Sequence, residues 1–224
     1  MIIRTFSILG RDPKTGDLGV ATASKYLAVG AVVPWAEAGV GVVATQHYGS
    51  PRIANDALAL MRAGHEPAQI LDQLMSDDGE RADTRQLAII DAKGRMAVHS
   101  PALHVKDPNA NYHGHLETDN CIAIGNTLAG KQVIGDMIAK FCALEKTDVT
   151  LAWRLLAALK AGDDAGGDHR GKQSAVILVV AGQRVKGDDI HKVNYRVDDH
   201  ATPIDELIRI YKLRFSKAGI DYAD

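Results

Sequence analysis

Thr5 and Ser7 lie two residues apart in Thr5-Phe6-Ser7-Ile8-Leu9, where small polar and apolar side chains alternate. Alternation at period two marks a half-buried strand, so both hydroxyls share one face. A threonine hydroxyl is a weak nucleophile at neutral pH and needs an adjacent base. If the chain opened before Thr5, the freed α-amino group, with an ordinary pKa of about 8, would be that base. Thr22, Ser24 and Lys25 fall where a hairpin would bring them alongside. Threonine and serine also simply suit strands, and that plain reading stands beside the chemical one.

A second group lies in Ala165-Gly166-Gly167-Asp168-His169-Arg170-Gly171-Lys172-Gln173-Ser174. Its glycines allow tight turns and close approach of a ligand. Asp168, Arg170, Gln173 and Ser174 would then stand at the mouth of the apolar run from Ser174 to Ala181. An arginine there could grip a carboxylate or phosphate in bidentate fashion. Asp168 and Arg170 could equally pair with each other in a solvated loop.

Val197-Asp198-Asp199-His200 places two carboxylates and an imidazole just before Pro203. Asp198, Asp199 and His200 could hold a hard divalent cation or orient a proton donor, or they could form a turn and helix cap. His99, His104, His113 and His115 include a His-Gly-His pair, with no third ligand at a diagnostic spacing. Gln46-His47-Tyr48 and Gly125-Asn126 fall at the ends of expected strands, where pocket-lining polar groups are often placed.

The elements that must position these residues follow from periodicity. Thr5–Leu9 and Leu18–Ser24 read as a hairpin across the turn-rich Arg11–Asp17. A turn centred near Lys14 sets Ala23 opposite Thr5. The Val-, Ala- and Gly-rich stretch from Ala28 to Gln46 reads as one or two strands broken near Pro34. Ser50 and Pro51 read as the cap and first turn of a helix that Gly64 stops. A second helix opens at Pro67 and ends at Asp77-Asp78-Gly79. Strands are expected over Gln86–Asp91, Arg95–His99, Cys121–Gly125, Ser174–Ala181 and Val193–Val197. A polar loop is expected from Pro101 to Thr118. Helices are expected over 130–145, 148–161 and from Pro203 to about Lys217. Paired helices between groups of hairpin-connected strands argue against a doubly wound parallel sheet. The expectation is a single α+β domain over residues 1–224, two mainly antiparallel sheets packed in four layers.

Composition narrows the function classes. With 26 Lys and Arg against 28 Asp and Glu, the net charge of −2 offers no basic excess for nucleic acid. At 5% aromatic residues, stacked-base recognition is a poor fit as well. No apolar run approaches the roughly 20 residues that cross a bilayer, and no signal-peptide pattern opens the chain. The expected setting is cytoplasmic, without membrane or nucleic-acid partners. Cys121 and Cys142 are too few for a disulfide framework and read as buried thiols. Ala- and Val-rich sheets suit packing into a homodimer or higher homo-oligomer.

The chain as a whole resembles a bacterial and archaeal domain family of unknown function. The resemblance rests on Thr5-Phe6-Ser7-Ile8, Asp12-Pro13, Thr15-Gly16, Leu18-Gly19-Val20-Ala21 and Ala28-Val29-Gly30-Ala31-Val32-Val33-Pro34-Trp35-Ala36. Ala44-Thr45-Gln46, Gly166-Gly167-Asp168, Arg170-Gly171, Gln173-Ser174-Ala175 and Val197-Asp198-Asp199-His200 extend it. That family has an N-terminal-nucleophile (Ntn) hydrolase-like αββα sandwich. A topological likeness to proteasome subunits implies Thr5 as nucleophile, with Asp168 and Ser174 as the Asp and Ser that help activate it. The sequence departs from proteasomes in lacking an aspartate near Val20–Lys25 and a lysine within Ala31–Gln46.

These residues frame an amidohydrolase for a small polar or anionic metabolite, needing no cofactor. Thr5, Asp168 and Ser174 are the catalytic candidates. Ser7, Ser24, Gln46, Asn126, Arg170, Gln173 and His200 would meet the small-molecule substrate, with Asn126 or backbone amides at the oxyanion. Without processing, Asp168 or His200 would instead activate a water. A metal-assisted variant through Asp198, Asp199 and His200, and a non-catalytic ligand-binding or assembly protein, are the alternatives.

Overall fold

Asp12 closes the first hairpin: its Oδ1 accepts hydrogen bonds from the backbone N–H groups of Lys14 (2.8 Å) and Thr15 (3.3 Å). Gly16 completes the turn at φ +76°, a conformation that costs glycine little. The flanking strands, β1 (Thr5–Arg11) and β2 (Leu18–Ser24), pair antiparallel. Thr5 lies opposite Ser24 and Phe6 opposite Ala23. The turn centre therefore falls half a residue beyond Lys14, and the sequence-based register is corrected by one. Directly opposed residues share a face, so it is Ser24 that shares a face with Thr5.

The computed structural model describes residues 2–100, 112–183 and 191–215. Two antiparallel sheets carry the fold. The larger has the order β10-β9-β2-β1-β8-β7 and the smaller β3-β4-β5-β6. Here β3 is Pro34–Glu37, β4 Gly41–His47, β5 Arg85–Asp91 and β6 Met96–His99. The rest are β7 (Tyr112–Glu117), β8 (Cys121–Leu128), β9 (Ser174–Val180) and β10 (His191–Val197). Helices α1 (Pro51–Arg62) and α2 (Pro67–Asp78) cover the smaller sheet. Helices α3 (Gln132–Glu145), α4 (Leu151–Asp164) and α5 (Pro203–Phe215) cover the larger. The result is the expected four-layer αββα sandwich.

Period-two alternation assigns each strand residue to a layer. Phe6 and Ile8 of β1 join the apolar cluster beneath α3 and α4, whereas Leu9 joins the cluster between the sheets with Leu18, Val20, Ile122, Ile124, Val176 and Leu178. In the smaller sheet Val42, Ala44, Ala88 and Ile90 face the sheet interface, and Val43, Leu87 and Ile89 face α1 and α2.

Several expectations are corrected. Val29–Ala31 is a 3₁₀ turn, entered through Ala28 in the left-handed region, rather than the start of a strand. The expected polar loop contains β7, which carries His113 and His115; His104 lies outside the described residues. β8 runs on to Leu128, and α4 continues into the glycine-rich segment as far as Asp164. Ser50 occupies the cap position of α1 without a side-chain capping bond; its N–H donates to Thr45 Oγ1 instead. The expected end of the last helix at Lys217 lies outside the described residues.

Cys121 is buried and Cys142 half-buried, and both are free. Burial pushes the Cys121 thiol up to about 12, so it is no thiolate nucleophile near neutrality. Among the described residues no helix is long and apolar enough to cross a membrane.

Candidate active site

At one end of the larger sheet the inter-sheet face turns from apolar to polar. Thr5 pairs with Ser24, and Ser24 with Ser174. On the other side Phe6 lies opposite Gly125, so the same register continued by one residue sets Asn126 beside Thr5. Asn126, Thr5, Ser24 and Ser174 thus form one transverse row across β8, β1, β2 and β9, and all are fully buried. The next row inward is Ile124, Ser7, Thr22 and Val176, and the one after is Ile122, Leu9, Val20 and Leu178. Four strands thus bring together residues far apart in sequence, and the graded rows leave the polar groups at one mouth of the sandwich.

Two of the four side chains in the outer row are committed. Ser174 Oγ donates to the Tyr26 carbonyl (2.5 Å) and accepts from the Val29 N–H (3.0 Å), which fastens the 3₁₀ turn to β9. Ser24 Oγ donates to the Arg4 carbonyl (2.5 Å). Thr5 Oγ1 and Asn126 Oδ1 are buried with no hydrogen-bond partner among the described residues. Buried polar atoms are almost always paired, so two exceptions on neighbouring strands single out this row as the candidate site.

The opposite sheet supplies Gln46 from β4 and Gln86 from β5. Ser7 Oγ donates to Gln46 Oε1 (2.7 Å) and shares a 2.9 Å contact with Thr22 Oγ1. Gln46 Nε2 reaches Gln86 Oε1 (3.0 Å) and the Thr5 carbonyl (3.3 Å). Gln86 Nε2 donates to the Gly125 carbonyl (2.9 Å) and to Ser100 Oγ (2.8 Å), while Asn126 Nδ2 donates to Gln86 Oε1 (2.8 Å). Gln86 is the site residue that sequence reasoning missed. Its signal was phase: it precedes Ala88 and Ile90 by even steps, so β5 turns it inward.

The residues before Thr5 close this end. Ile3 and His47 exchange backbone hydrogen bonds of 2.6 and 2.9 Å, tying the N-terminal segment to β4 of the other sheet. His47 adopts φ +60° there, and its Nδ1 lies 2.7 Å from the Thr84 carbonyl. Burial holds the His47 imidazole below its ordinary pKa against that hydrogen bond, and the nearby charges of Arg4 and His113 act in the same direction as burial. His113 is also lowered by burial.

The glycine-rich loop delivers Asp168 and Arg170 together. Thr127, at φ +52°, turns the end of β8 so that Leu128 bridges Asp168. Arg170 grips Asp168 through Nε–Oδ1 (3.0 Å) and Nη2–Oδ2 (2.5 Å), and the Arg170 N–H adds a bond to Oδ1 (3.0 Å). The same Nη2 donates to the Arg4 carbonyl at 3.2 Å. Asp168 is therefore a seat for Arg170, and Arg170 reaches the bond before Thr5.

The remaining candidates stand apart from this row. Gln173 donates through its backbone N–H to the Ser24 carbonyl (2.8 Å) and through Nε2 to Asp199 (3.0 Å). Asp198 Oδ1 lies 3.0 Å from Arg196 Nε, and His200 Nδ1 accepts from the Thr202 N–H (3.1 Å). Asp198, Asp199 and His200 thus serve different partners at an exposed turn, and among the described residues no group of three or more His, Cys, Asp or Glu is placed to hold a metal ion. Lys25 is exposed past the end of β2.

The model of a family of unknown function, DUF1028, matches residues 5–207. The crystal structure of protein SPO2555 from Silicibacter pomeroyi, described under the same family, is 33% identical with a TM-score of 0.79; the match covers 95% of this chain and 89% of that one. A Gly-1 mutant of Anbu from Hyphomicrobium sp. strain MC1 is 12% identical with a TM-score of 0.45, covering 98% of this chain and 99% of that one. Anbu from Yersinia bercovieri is 10% identical with a TM-score of 0.42, over the same shares of the two chains. No curated protein matches the chain.

Proposed function

This chain belongs to the DUF1028 family, and from that premise we propose that it is an Ntn-type amidohydrolase for a small polar metabolite, with Thr5 as nucleophile. One observation carries the reading. The carbonyl of Arg4, which blocks the Thr5 amine, receives two donors, Ser24 Oγ at 2.5 Å and Arg170 Nη2 at 3.2 Å, beside an unpartnered Thr5 hydroxyl. Donors aimed at a carbonyl oxygen next to a nucleophile stabilise the oxyanion of a tetrahedral intermediate. Attack of Thr5 Oγ1 on the Arg4 carbonyl carbon breaks the Arg4–Thr5 amide, and the hydroxyl proton ends on the departing Thr5 amine. Water then opens the ester, leaving a carboxylate on Arg4 and an unblocked Thr5. The same two donors stand ready for the substrate carbonyl in each later turnover, with the Thr5 amine as base.

The committed state of Asp168 favours a second reading, a non-catalytic ligand-binding protein, because that carboxylate is already held by Arg170 and does not act on Thr5. Intact mass of the freshly purified full chain tests the first reading. Loss of residues 1–4, abolished by Thr5→Ala, supports it. A mass retaining Ile2 to Arg4 after prolonged incubation sinks the threonine-amine mechanism and leaves the ligand-binding reading.

A further inference from the structure

The chain of carboxamides behind Thr5 fixes which atom of Asn126 faces the ligand. Gln86 Nε2 donates to the Gly125 carbonyl, and a backbone carbonyl can only accept. Reversing the Gln86 amide would set two oxygens against each other, so Gln86 Oε1 is held where it must accept. Asn126 meets it with Nδ2 at 2.8 Å and Gln46 with Nε2 at 3.0 Å. Asn126 cannot reverse without placing its own oxygen against Gln86 Oε1. Its Oδ1 is therefore turned away from the network, buried and unpartnered, in the same row as Thr5 Oγ1.

From this we infer that Asn126 is a specificity residue that accepts a hydrogen bond from an N–H of the substrate, so the site selects amides over esters of the same shape. The inference rests on the reading of this row as the substrate-contacting centre. It also reverses the role that an asparagine at this place first suggests. An oxyanion needs a donor, and one of the two Asn126 N–H groups is spent on Gln86 Oε1, whereas its open oxygen would repel an oxyanion and welcome an N–H. An ester in the same pose leaves Oδ1 unpaired, and sites that hydrogen-bond a substrate group reject the analogue that lacks it. Gln86 acts through Asn126 as the positioning residue.

The test is side-chain amide NMR on the ¹⁵N-labelled full chain, with the Asn126 signals identified by their loss in Asn126→Asp. N-methylacetamide and its ester isostere methyl acetate are each titrated to about 100 mM, since ligands this small bind weakly. Saturable shifts of the Asn126 Nδ2 pair by N-methylacetamide, at least about tenfold tighter than by methyl acetate, are expected. In Gln86→Ala that preference should collapse toward unity while the fold, followed by the backbone spectrum, persists. Equal affinities for both probes, or no shift from N-methylacetamide, overturn the inference and leave Oδ1 to water. Intact mass of the same wild-type sample separates the two proposals. An amide preference in a wild-type chain that keeps Ile2 to Arg4 and hydrolyses no amide means that only the catalytic reading has failed. Thr5-dependent processing with no amide preference means that only the Asn126 assignment has failed.

Discussion

Ser24 Oγ and the carbonyl oxygen of Arg4 lie 2.5 Å apart, across a strand pair in which Ser24 is the direct partner of Thr5. On the proposed mechanism the contact joins the hairpin register to cleavage of the Arg4–Thr5 bond. Ser24→Ala removes one of the two donors on that carbonyl and leaves Arg170 in place. Loss of a single oxyanion donor costs about 10²-fold or more in rate. Release of residues 1–4, followed by intact mass against time, should slow by that factor, with little change in melting temperature. Processing at an unchanged rate would show that the contact is structural.

Arg170 is the only cation within bonding distance of Asp168 among the ion pairs of the described residues, and the Asp168 side chain is fully buried. Arg170→Ala strands that carboxylate in the interior. Breaking a buried pair from one side costs about 3–5 kcal/mol. For a chain of this size that corresponds to a fall of roughly 6–20 °C in melting temperature, readable by calorimetry. Arg170→Ala with Asp168→Asn should recover much of the loss, because the uncompensated charge is then gone. A single variant that melts as wild type would contradict the pairing.

His47 gives the fold a pH dependence of definite sign. Its pKa in the folded chain lies below the ordinary 6.5, chiefly through burial. The unfolded chain therefore binds more protons below 6.5 than the folded one, and stability falls as the pH drops through that value towards the lowered folded one. Half-buried His113 adds to the same trend. Urea melts between pH about 7.5 and about 5 should show the decline, and His47→Gln should flatten it. A slope unchanged in His47→Gln would assign the effect elsewhere.

Gly10 and Gly19 are cross-strand partners, and both face the helices. A Cβ on Gly10 would stand 2.8 Å from the Phe141 ring, and one on Gly19 2.7 Å from Leu155 Cδ1 and 2.8 Å from Val179. The pair lets α3 and α4 settle onto the centre of the larger sheet. Gly19→Ala overpacks that contact and should cost about 1–3 kcal/mol in denaturant unfolding. A neutral outcome would mean that the helices can shift at no cost.

Much of the architecture was legible because periodicity and turn chemistry are local. The hairpin of β1 and β2 is written in Thr5–Leu9, Asp12-Pro13 and Gly16, and the helix openings at Pro51 and Pro67 in the prolines themselves. Strand β7 was not legible, because Tyr112–Glu117 is a polar edge strand with little burial to impose an alternating pattern. The site divides in the same way. Thr5, Ser7, Ser24, Gln46, Asn126, Asp168, Arg170 and Ser174 could each be named from residue type and position in an element. Their grouping could not, since it depends on strand order and on a register that the sequence count missed by one residue. Gln86 shows the limit most clearly. A glutamine at the start of a strand is unremarkable until the second sheet packs against the first and turns it towards Gly125 and Asn126. The sequence by itself determined which residues of a strand share a face, because period two is a property of the strand alone. Only the tertiary structure decided which hydroxyls were spent on hydrogen bonds and which were left open, because a partner 39 or 145 residues away is brought near by packing and by nothing local.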